Sequence, residues 1–257
     1  VRWSSIEPSR GNYDFDDIDW MMDEAEKRGA RVTLAIGMKV PRWPECYIPD
    51  WASKNTQTEY REDLMRLVEV ITLHYKDHPA LDRWQVENEP FFHFGNCPKA
   101  DVQRVFAEMD HVRNLDPDHP IQRTTSGEQS IWLFNTKAAD IVGASLYRTV
   151  YTPIIGYFTY PLPPVFYRFQ KILSEPFVDK VIISELQAEP WLADSVDHED
   201  MSKLYELFSV EDLQKNIDFA NRTGVDEVFL WGVEWWYYLK QDGDTRLWDA
   251  GRGIFQN

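Results

Sequence analysis

The sequence predicts an α/β fold of the (β/α)8 barrel type, as a single domain over residues 1–257. Short apolar runs alternate along the chain with longer amphipathic runs, which is the pattern of βα units around a parallel sheet. No internal repeat and no Ser/Gly-rich linker interrupts this alternation. The length of 257 residues suits one barrel better than two small domains.

Seven apolar runs are strand candidates, because short unbroken runs of this kind are typical of buried parallel strands. They are Val1–Trp3, Arg31–Gly37, Asp82–Val86, Ile121–Thr125, Asp140–Leu146, Lys180–Ser184 and Glu227–Trp231. The first run is placed as the second strand of a barrel. The sequence opens without an initiator Met, so we expect the first strand and helix to be missing from it. An open doubly wound sheet is the alternative, but its Gly-rich phosphate-binding turn is absent.

Five amphipathic runs with apolar residues at helical spacing predict the helices between these strands. They are Phe15–Arg28, Thr58–Lys76, Val102–Asn114, Val165–Leu173 and Val210–Arg222. Gly29 follows the first run and is a typical helix stop.

The composition excludes several classes of partner. The formal net charge of −16 argues against nucleic acid and anionic membrane surfaces, which attract basic proteins. No apolar run approaches the ~20 residues of a membrane span. The compartment and the oligomeric state are left open by the sequence.

Metal and cofactor chemistry is not expected. Two cysteines, Cys46 and Cys97, are too few for a four-cysteine zinc site, and they form either one disulfide or two free thiols. His74 and His78 stand four apart, but no H-E-x-x-H motif joins them. We predict no metal in catalysis and no cofactor.

Carboxylates follow two of the predicted strands directly. Asp82–Val86 leads into Glu87-Asn88-Glu89-Pro90, and Lys180–Ser184 leads into Glu185. Catalytic groups of a barrel lie at the C-terminal ends of its strands. Cleavage of a glycosidic bond with retention needs two carboxyl groups, one protonated and one ionised, ~5–5.5 Å apart. Glu89 and Glu185 are the predicted pair.

These residues resemble clan A of the glycoside hydrolases, which includes the cellulase-like family five and the β-galactosidases of family forty-two. Asn88-Glu89-Pro90 on a fourth strand, with Ser184-Glu185 on a seventh, carries the resemblance. It implies a retaining O-glycosyl hydrolase, a β-glycosidase or endo-β-glucanase-like enzyme that acts on β-glycosides or oligosaccharides. In it Glu89 is the acid/base, Glu185 is the nucleophile, and Asn88 contacts the substrate 2-hydroxyl.

The resemblance implies three further site residues. Arg2, in the opening R-W-S-S-I-E-P run, would stand near the nucleophile and keep it ionised. Tyr147, at the end of D-I-V-G-A-S-L-Y, would hydrogen-bond the nucleophile. Trp231, at the end of E-V-F-L-W, would form the aromatic floor of the sugar site.

Other substrate contacts are predicted from loop residues. Aromatic rings stack on the apolar faces of sugars, and Trp43 is the first candidate after Trp231 among the loop aromatics. We assign most of the remaining tryptophans in predicted loops to packing, among them Trp132, Trp191, Trp235 and Trp236. His93 and Glu234 are candidate contacts to sugar hydroxyls.

The sequence departs from the clan pattern near the nucleophile. Glu234 is an extra carboxylate beside the expected tryptophan, and Glu189 lies four residues past Glu185, where it competes for the nucleophile role. Glu87 is interpreted as a wall residue or a solvated residue. Two rival functions stay open, a catalytically inactive carbohydrate-binding barrel and a transglycosylase. The sugar, the linkage and the exo or endo mode also stay open.

Overall fold

The computed structural model describes residues 1–192 and 206–255. These residues group into two compact units. The first contains Val1–Thr125, Trp132–Val142 and Pro176–Lys180, and the second contains Ser126–Ile131, Gly143–Glu175 and the described part of Val181–Asn257. The single-domain organisation stays a prediction.

Strands and helices alternate along the chain. The described helices are α1 (Trp3–Ile6), α2 (Asp16–Lys27), α3 (Asp50–Ser53), α4 (Gln57–Tyr75), α5 (Val102–Leu115), α6 (Pro164–Ser174), α7 (Val210–Asn221), α8 (Val233–Gln241) and α9 (Arg246–Ile254). The described strands are β1 (Val32–Ile36), β2 (Leu81–Val86), β3 (Ile121–Thr125), β4 (Ile141–Leu146), β5 (Thr149–Thr152), β6 (Gly156–Thr159), β7 (Lys180–Gln187) and β8 (Val228–Trp231).

The strand order is β1-β2-β3-β4-β7-β8, with β5 and β6 forming a separate hairpin. The order follows the chain, and the pairs β1–β2, β2–β3 and β7–β8 are parallel. This is the succession of strands in a (β/α)8 barrel. The described residues therefore show a partial barrel of this type, with six of its eight strands.

The core of the first unit lies between its parallel strands and α4. In the register of the sheet, Leu34 is opposite Trp84, which is opposite Ile121. Helix α4 buries Leu64, Leu67, Val68 and Ile71, a spacing of three or four residues that places them on one face. A capping box of Thr56 and Glu59 starts this helix by satisfying two free amides.

The second unit contains the parallel pair β7–β8, in which Gln187 is opposite Trp231. The hairpin pairs Thr149 with Thr159. Helix α7 begins with a second capping box, and its Leu213 joins the buried cluster of the unit. Glu185 lies near the C-terminal end of β7, beside β8.

The predicted strands after the first are all confirmed, and so are the five predicted helices, with ends shifted by a residue or two or, at the end of β7, by three. The predicted strand Val1–Trp3 is wrong, because Trp3–Ile6 forms a helical turn. The amides of Ile6 and Glu7 donate to the carbonyls of Arg2 and Trp3. The Trp3 indole also donates to the Glu7 carboxylate at 2.7 Å, which stabilises this turn.

Three tryptophans assigned to predicted loops lie in regular structure instead. Trp132 begins a 3-10 turn, and Trp235 and Trp236 lie on α8; all three are buried. Helix α8 buries Leu239 on the same side, which explains the density of aromatic residues there.

Within residues 1–192 and 206–255, no helix combines the length and the apolar character needed to cross a membrane.

Candidate active site

Glu89 lies in a tight turn that directly follows β2. Glu87 and Glu89 have φ angles of 62° and 39°, in the left-handed region that non-glycine residues rarely adopt. The Glu89 amide donates to Thr124 Oγ1 at 2.8 Å, and Lys39 Nζ donates to the Glu89 carbonyl at 3.0 Å. Side chains from the ends of two neighbouring strands therefore hold the backbone of this turn.

The Asn88 side chain is buried and fixed by three neighbours. Its Oδ1 accepts from Gln85 Nε2 at 3.1 Å and from Thr124 Oγ1 at 3.2 Å. Its Nδ2 donates to Glu45 Oε1 at 3.4 Å. Since both ends of the amide are engaged, the orientation of the Asn88 amide is defined by the surrounding side chains.

Glu45 is a buried carboxyl group beside this turn. Its Oε2 lies 3.2 Å from Lys39 Nζ, and both side chains are almost inaccessible to solvent. Burial raises the pKa of Glu45 to about 7, although the Lys39 charge opposes the rise and the charge of Glu89 adds to it. Glu45 therefore ionises near neutral pH, next to the predicted acid/base.

Glu87 is an internal anchor rather than the wall or solvated residue predicted from the sequence. It is fully buried, and it accepts the amides of Met38 at 3.0 Å and Lys39 at 2.8 Å. The Arg104 guanidinium donates to it at 2.6 Å and also pairs with Glu108. Burial raises the pKa of Glu108 well above its usual range. These contacts tie β2 to the loop after β1 and to α5.

Glu185 lies on β7, two residues before its end, and its side chain is 7% exposed. Tyr147 follows β4 directly, and its hydroxyl donates to Glu185 Oε2 at 2.8 Å. The Tyr147 amide donates to Glu128 at 3.1 Å, and its ring meets Trp191 edge to face at 5.5 Å. Contacts at the backbone and at the ring thus orient the hydroxyl toward the carboxylate.

Three predicted contacts of the first unit lie near its surface. The Arg2 guanidinium stands over the ring of Tyr47 at 4.9 Å and is exposed. Trp43 is 63% exposed and meets Phe94 edge to face. His93 is exposed. Their roles in substrate binding stay predictions.

The remaining predicted residues belong to the second unit. Trp231 ends β8 and is half-buried, and its carbonyl accepts the Ala188 amide at 2.8 Å. Glu234 is exposed in the first turn of α8. Glu189 is half-buried beside Gly232, where an added Cβ would lie 2.4 Å from the Glu189 Cβ. These placements leave Trp231 and Glu234 as predicted contacts.

Sequence reasoning missed Lys39, Glu45 and Thr124, because their contacts to the Asn88-Glu89 turn join residues about 35 to 50 positions apart. Thr124 alone could have been suspected from the sequence, as a polar residue near the end of a predicted strand.

The disulfide alternative for the cysteines is confirmed: Cys46 and Cys97 are bridged, with their Cα atoms 5.2 Å apart.

Among the described residues, one group of side chains could hold a metal ion, and it consists of Asp23, Glu26 and His78. Both acids are exposed, and none of the three is a predicted catalytic or substrate-binding residue. Exposed acidic groups of this kind are common without an ion, so the cluster suggests no metal chemistry for the site.

Residues 1–116 match the sequence model of glycoside hydrolase family 42, described as β-galactosidase. A β-galactosidase of Arthrobacter sp. is 32% identical over 105 residues, covering 34% of this chain and 15% of that enzyme. The β-galactosidase BgaB of a Geobacillus strain is 31% identical over 112 residues, covering 37% of this chain and 17% of that enzyme. The aligned part of this chain thus spans under a fifth of the length of these curated relatives.

Solved structures with a similar fold include a β-galactosidase from the psychrophilic Marinomonas ef1. It has a TM-score of 0.63 at 14% identity, covering 89% of this chain and 48% of that chain. Xylanase XynB from Paenibacillus barcinonensis has a TM-score of 0.62 at 15% identity, covering 90% of this chain and 74% of that chain. Likeness at this level of identity shows the fold.

The resemblance to clan A of the glycoside hydrolases is confirmed. The family match includes the Asn88-Glu89 turn but ends at residue 116, before Glu185. The clan A resemblance thus rests on sequence in residues 1–116, and the likeness to solved structures shows the fold over 89% of the chain. The roles of the individual residues stay predictions.

Proposed function

We propose that this chain is a retaining glycoside hydrolase that cleaves β-glycosidic bonds, with Glu185 as nucleophile and Glu89 as acid/base. One observation carries the proposal: the buried Glu185 carboxylate accepts a hydrogen bond from the oriented Tyr147 hydroxyl. A hydrogen-bond donor to this carboxylate favours its ionised form. This is the state that a nucleophile requires.

The reaction proceeds in two displacements. In the first, an oxygen of Glu185 forms a bond to the anomeric carbon while the glycosidic bond breaks, and Glu89 gives its proton to the leaving oxygen. In the second, Glu89 takes a proton from water, the water oxygen attacks the anomeric carbon, and the bond to Glu185 breaks. Both carboxyl groups return to their starting states.

β-Galactosides are the proposed first substrates. The match to the β-galactosidase family model covers the Asn88-Glu89 turn, which faces the sugar in this proposal. Xylosides are the second candidates, because XynB and other xylanases share the fold at TM-scores near 0.6.

The test is release of nitrophenol from a panel of aryl β-glycosides, including the galactoside, xyloside, glucoside and mannoside. Wild type is compared with Glu185→Gln and with the matched control Glu189→Gln. We expect at least one sugar to be cleaved, and we expect Glu185→Gln to lose about a thousandfold or more in kcat. Product analysis with an added acceptor sugar separates hydrolysis from transglycosylation.

Two results would contradict the proposal. If Glu189→Gln loses activity and Glu185→Gln keeps it, the nucleophile is misassigned. If the wild-type protein cleaves none of the aryl glycosides and none of the β-linked oligosaccharides, the chain is a carbohydrate-binding barrel instead.

A further inference from the structure

A chain of buried amide side chains leads to Asn88 within the first unit. Gln85 on β2 is opposite Gln122 on β3 in the register of the sheet, so both side chains lie on the same face. Gln122 Nε2 donates to Gln85 Oε1 at 2.9 Å, and Gln85 Nε2 donates to Asn88 Oδ1 at 3.1 Å. Asn88 Nδ2 donates in turn to Glu45 Oε1 at 3.4 Å. Three buried amides thus donate in one direction, and the proposed reaction assigns no role to the two glutamines.

The direction of this chain is set at the end where it meets Glu45. The Glu45 carboxyl is paired with Lys39 Nζ at 3.2 Å, and an ionised carboxylate accepts hydrogen bonds without donating any. It therefore faces the Asn88 nitrogen and not the Asn88 oxygen. Thr124 Oγ1 accepts the Glu89 amide and donates its single hydrogen to Asn88 Oδ1 at 3.2 Å, which favours the same orientation of the Asn88 amide.

The other end of the chain carries an unpaired oxygen. Gln122 Oε1 is buried and has no hydrogen-bond partner among the described residues. A buried carbonyl without a partner destabilises the folded state. Turning the Gln122 amide over would place its Oε1 against Gln85 Oε1, and two acceptors would then face each other. The loss thus falls on Gln122, while the donors that fix the orientation of Asn88 are kept.

The Asn88 amide has one group left for a ligand. An amide oxygen has two acceptor sites, and those of Asn88 Oδ1 are filled by Gln85 and Thr124. The nitrogen carries two N–H groups, of which Glu45 accepts one. The second N–H has no partner in the part of the chain that the structure describes. Asn88 can therefore donate to a ligand, but it has no acceptor site left for one.

We propose that Gln85 is a positioning residue that, through its hydrogen bond to Asn88, makes the Asn88 amide a donor to a substrate hydroxyl. The inference rests on the proposed function, in which Asn88 contacts the 2-hydroxyl of the sugar. Gln122 supports this role by keeping the Gln85 oxygen turned away from Asn88. A hydrogen bond to the 2-hydroxyl that strengthens in the transition state raises kcat/KM for sugars that carry this hydroxyl. Gln85 thereby contributes to discrimination between substrates that it does not touch.

The test compares an aryl β-glycoside that the wild-type protein cleaves with the 2-deoxy analogue of the same glycoside. The measured quantity is the ratio of kcat/KM for the two substrates, because a general loss of packing lowers both values and leaves their ratio unchanged. Gln85→Met keeps the length of the side chain and removes the donor, so we expect the ratio to fall about tenfold. Gln122→Met cuts the chain one link earlier and should lower the ratio by less, about threefold.

Gln170→Met is the matched control. Gln170 is a buried glutamine of α6 whose Nε2 donates to the Ser130 carbonyl at 2.8 Å, and this variant should keep the wild-type ratio. Ratios within about twofold of wild type for both Gln85→Met and Gln122→Met would overturn the inference, however low the activities are. A fall of the same size in the control would also overturn it. If Gln85→Met does not fold, Gln122→Met decides.

Failure of the proposed function gives a different result. A wild-type protein that cleaves no glycoside contradicts the proposed function alone, and the same variants are then compared by titration calorimetry with galactose and 2-deoxygalactose. Loss of the preference for galactose in Gln85→Met, with the preference kept in Gln170→Met, would support the positioning role without hydrolysis. Equal binding of the two sugars by the wild-type protein, or binding of neither, would overturn it.

Discussion

Backbone strain marks the predicted acid/base residue. Glu87 and Glu89 both have positive φ, and a residue held in such a region costs about 1–3 kcal/mol. The Glu87 carboxylate, Thr124 and Lys39 each bind a group of this turn or of the loop beside it. The strained conformation persists because these buried hydrogen bonds hold the backbone of the turn and of the loop beside it. They thereby fix the position of the Glu89 Cα, from which the side chain extends.

The Tyr147 hydroxyl is expected to assist Glu185, the proposed nucleophile. Tyr147→Phe removes one hydrogen bond to Glu185, and hydrogen bonds to charged groups contribute about 1.5–3 kcal/mol. We expect kcat on an aryl β-glycoside to fall about 10- to 100-fold, with a smaller change in KM. Tyr237→Phe on α8 is the matched control. A kcat within twofold of wild type for Tyr147→Phe would contradict this role.

Glu45 should make stability depend on pH. Its pKa is raised from 4.5 to about 7 in the folded protein, so between these values the folded state binds more protons than the unfolded state. The free energy of unfolding contributed by this group therefore falls as pH rises through that window. Glu45→Gln should flatten the decrease in Tm between pH 5 and pH 8.

The control for this experiment is Glu62→Gln, an exposed glutamate on α4, which should leave the pH dependence of Tm unchanged. The measured quantity is the slope of Tm against pH, because Glu45→Gln also removes the ion pair with Lys39 and so changes the absolute Tm. Equal slopes for Glu45→Gln and wild type would show that Glu45 does not titrate in this range.

At the scale of elements, the spacing of apolar residues predicted those helices and strands whose signals lie within one continuous stretch of sequence. Helix α4 has its apolar spacing and its capping box within one continuous stretch, so its existence and its ends could be predicted. The β5–β6 hairpin and α8 were missed. The hairpin strands are only four residues long, and the aromatic run of α8 was assigned to loops by the expectation of a sugar cleft.

Gly232 determines how β8 joins α8. Its φ is 113°, and an added Cβ would lie 2.4 Å from the Glu189 Cβ. Gly232→Ala should lower the free energy of unfolding by about 2 kcal/mol or more, since L-residues pay about 1–2 kcal/mol in left-handed conformations before any clash. For a chain of this size we expect Tm to fall by roughly 4–8 °C.

Gly253→Ala is the matched control. Gly253 lies inside α9, where an added Cβ meets nothing within 4 Å. Alanine is favoured over glycine in a helix interior by roughly 0.5–1 kcal/mol, so this variant should be unchanged or more stable. A Gly232→Ala protein as stable as wild type would mean that the junction relaxes without cost.

At the scale of the whole molecule, the sequence predicted the parallel βα succession and the two strands that carry Glu89 and Glu185. Strand ends are visible locally, because a carboxylate directly follows an apolar run. The groups that hold the Asn88-Glu89 turn could not be predicted from the local sequence. Lys39, Glu45 and Thr124 act across 35 to 50 residues of chain, and only the folded sheet brings them to Asn88 and Glu89.

The central claim is that Glu185 forms a covalent bond to the sugar. The most direct measurement is mass spectrometry of wild-type protein treated with dinitrophenyl 2-deoxy-2-fluoro-β-galactoside, in which the fluorine slows breakdown of the intermediate. We predict one added fluorosugar per chain, located by peptide mapping on Glu185, and none in Glu185→Gln. Labelling of Glu189 or Glu234 instead, or turnover of aryl β-galactoside without any trapped intermediate, would contradict this account.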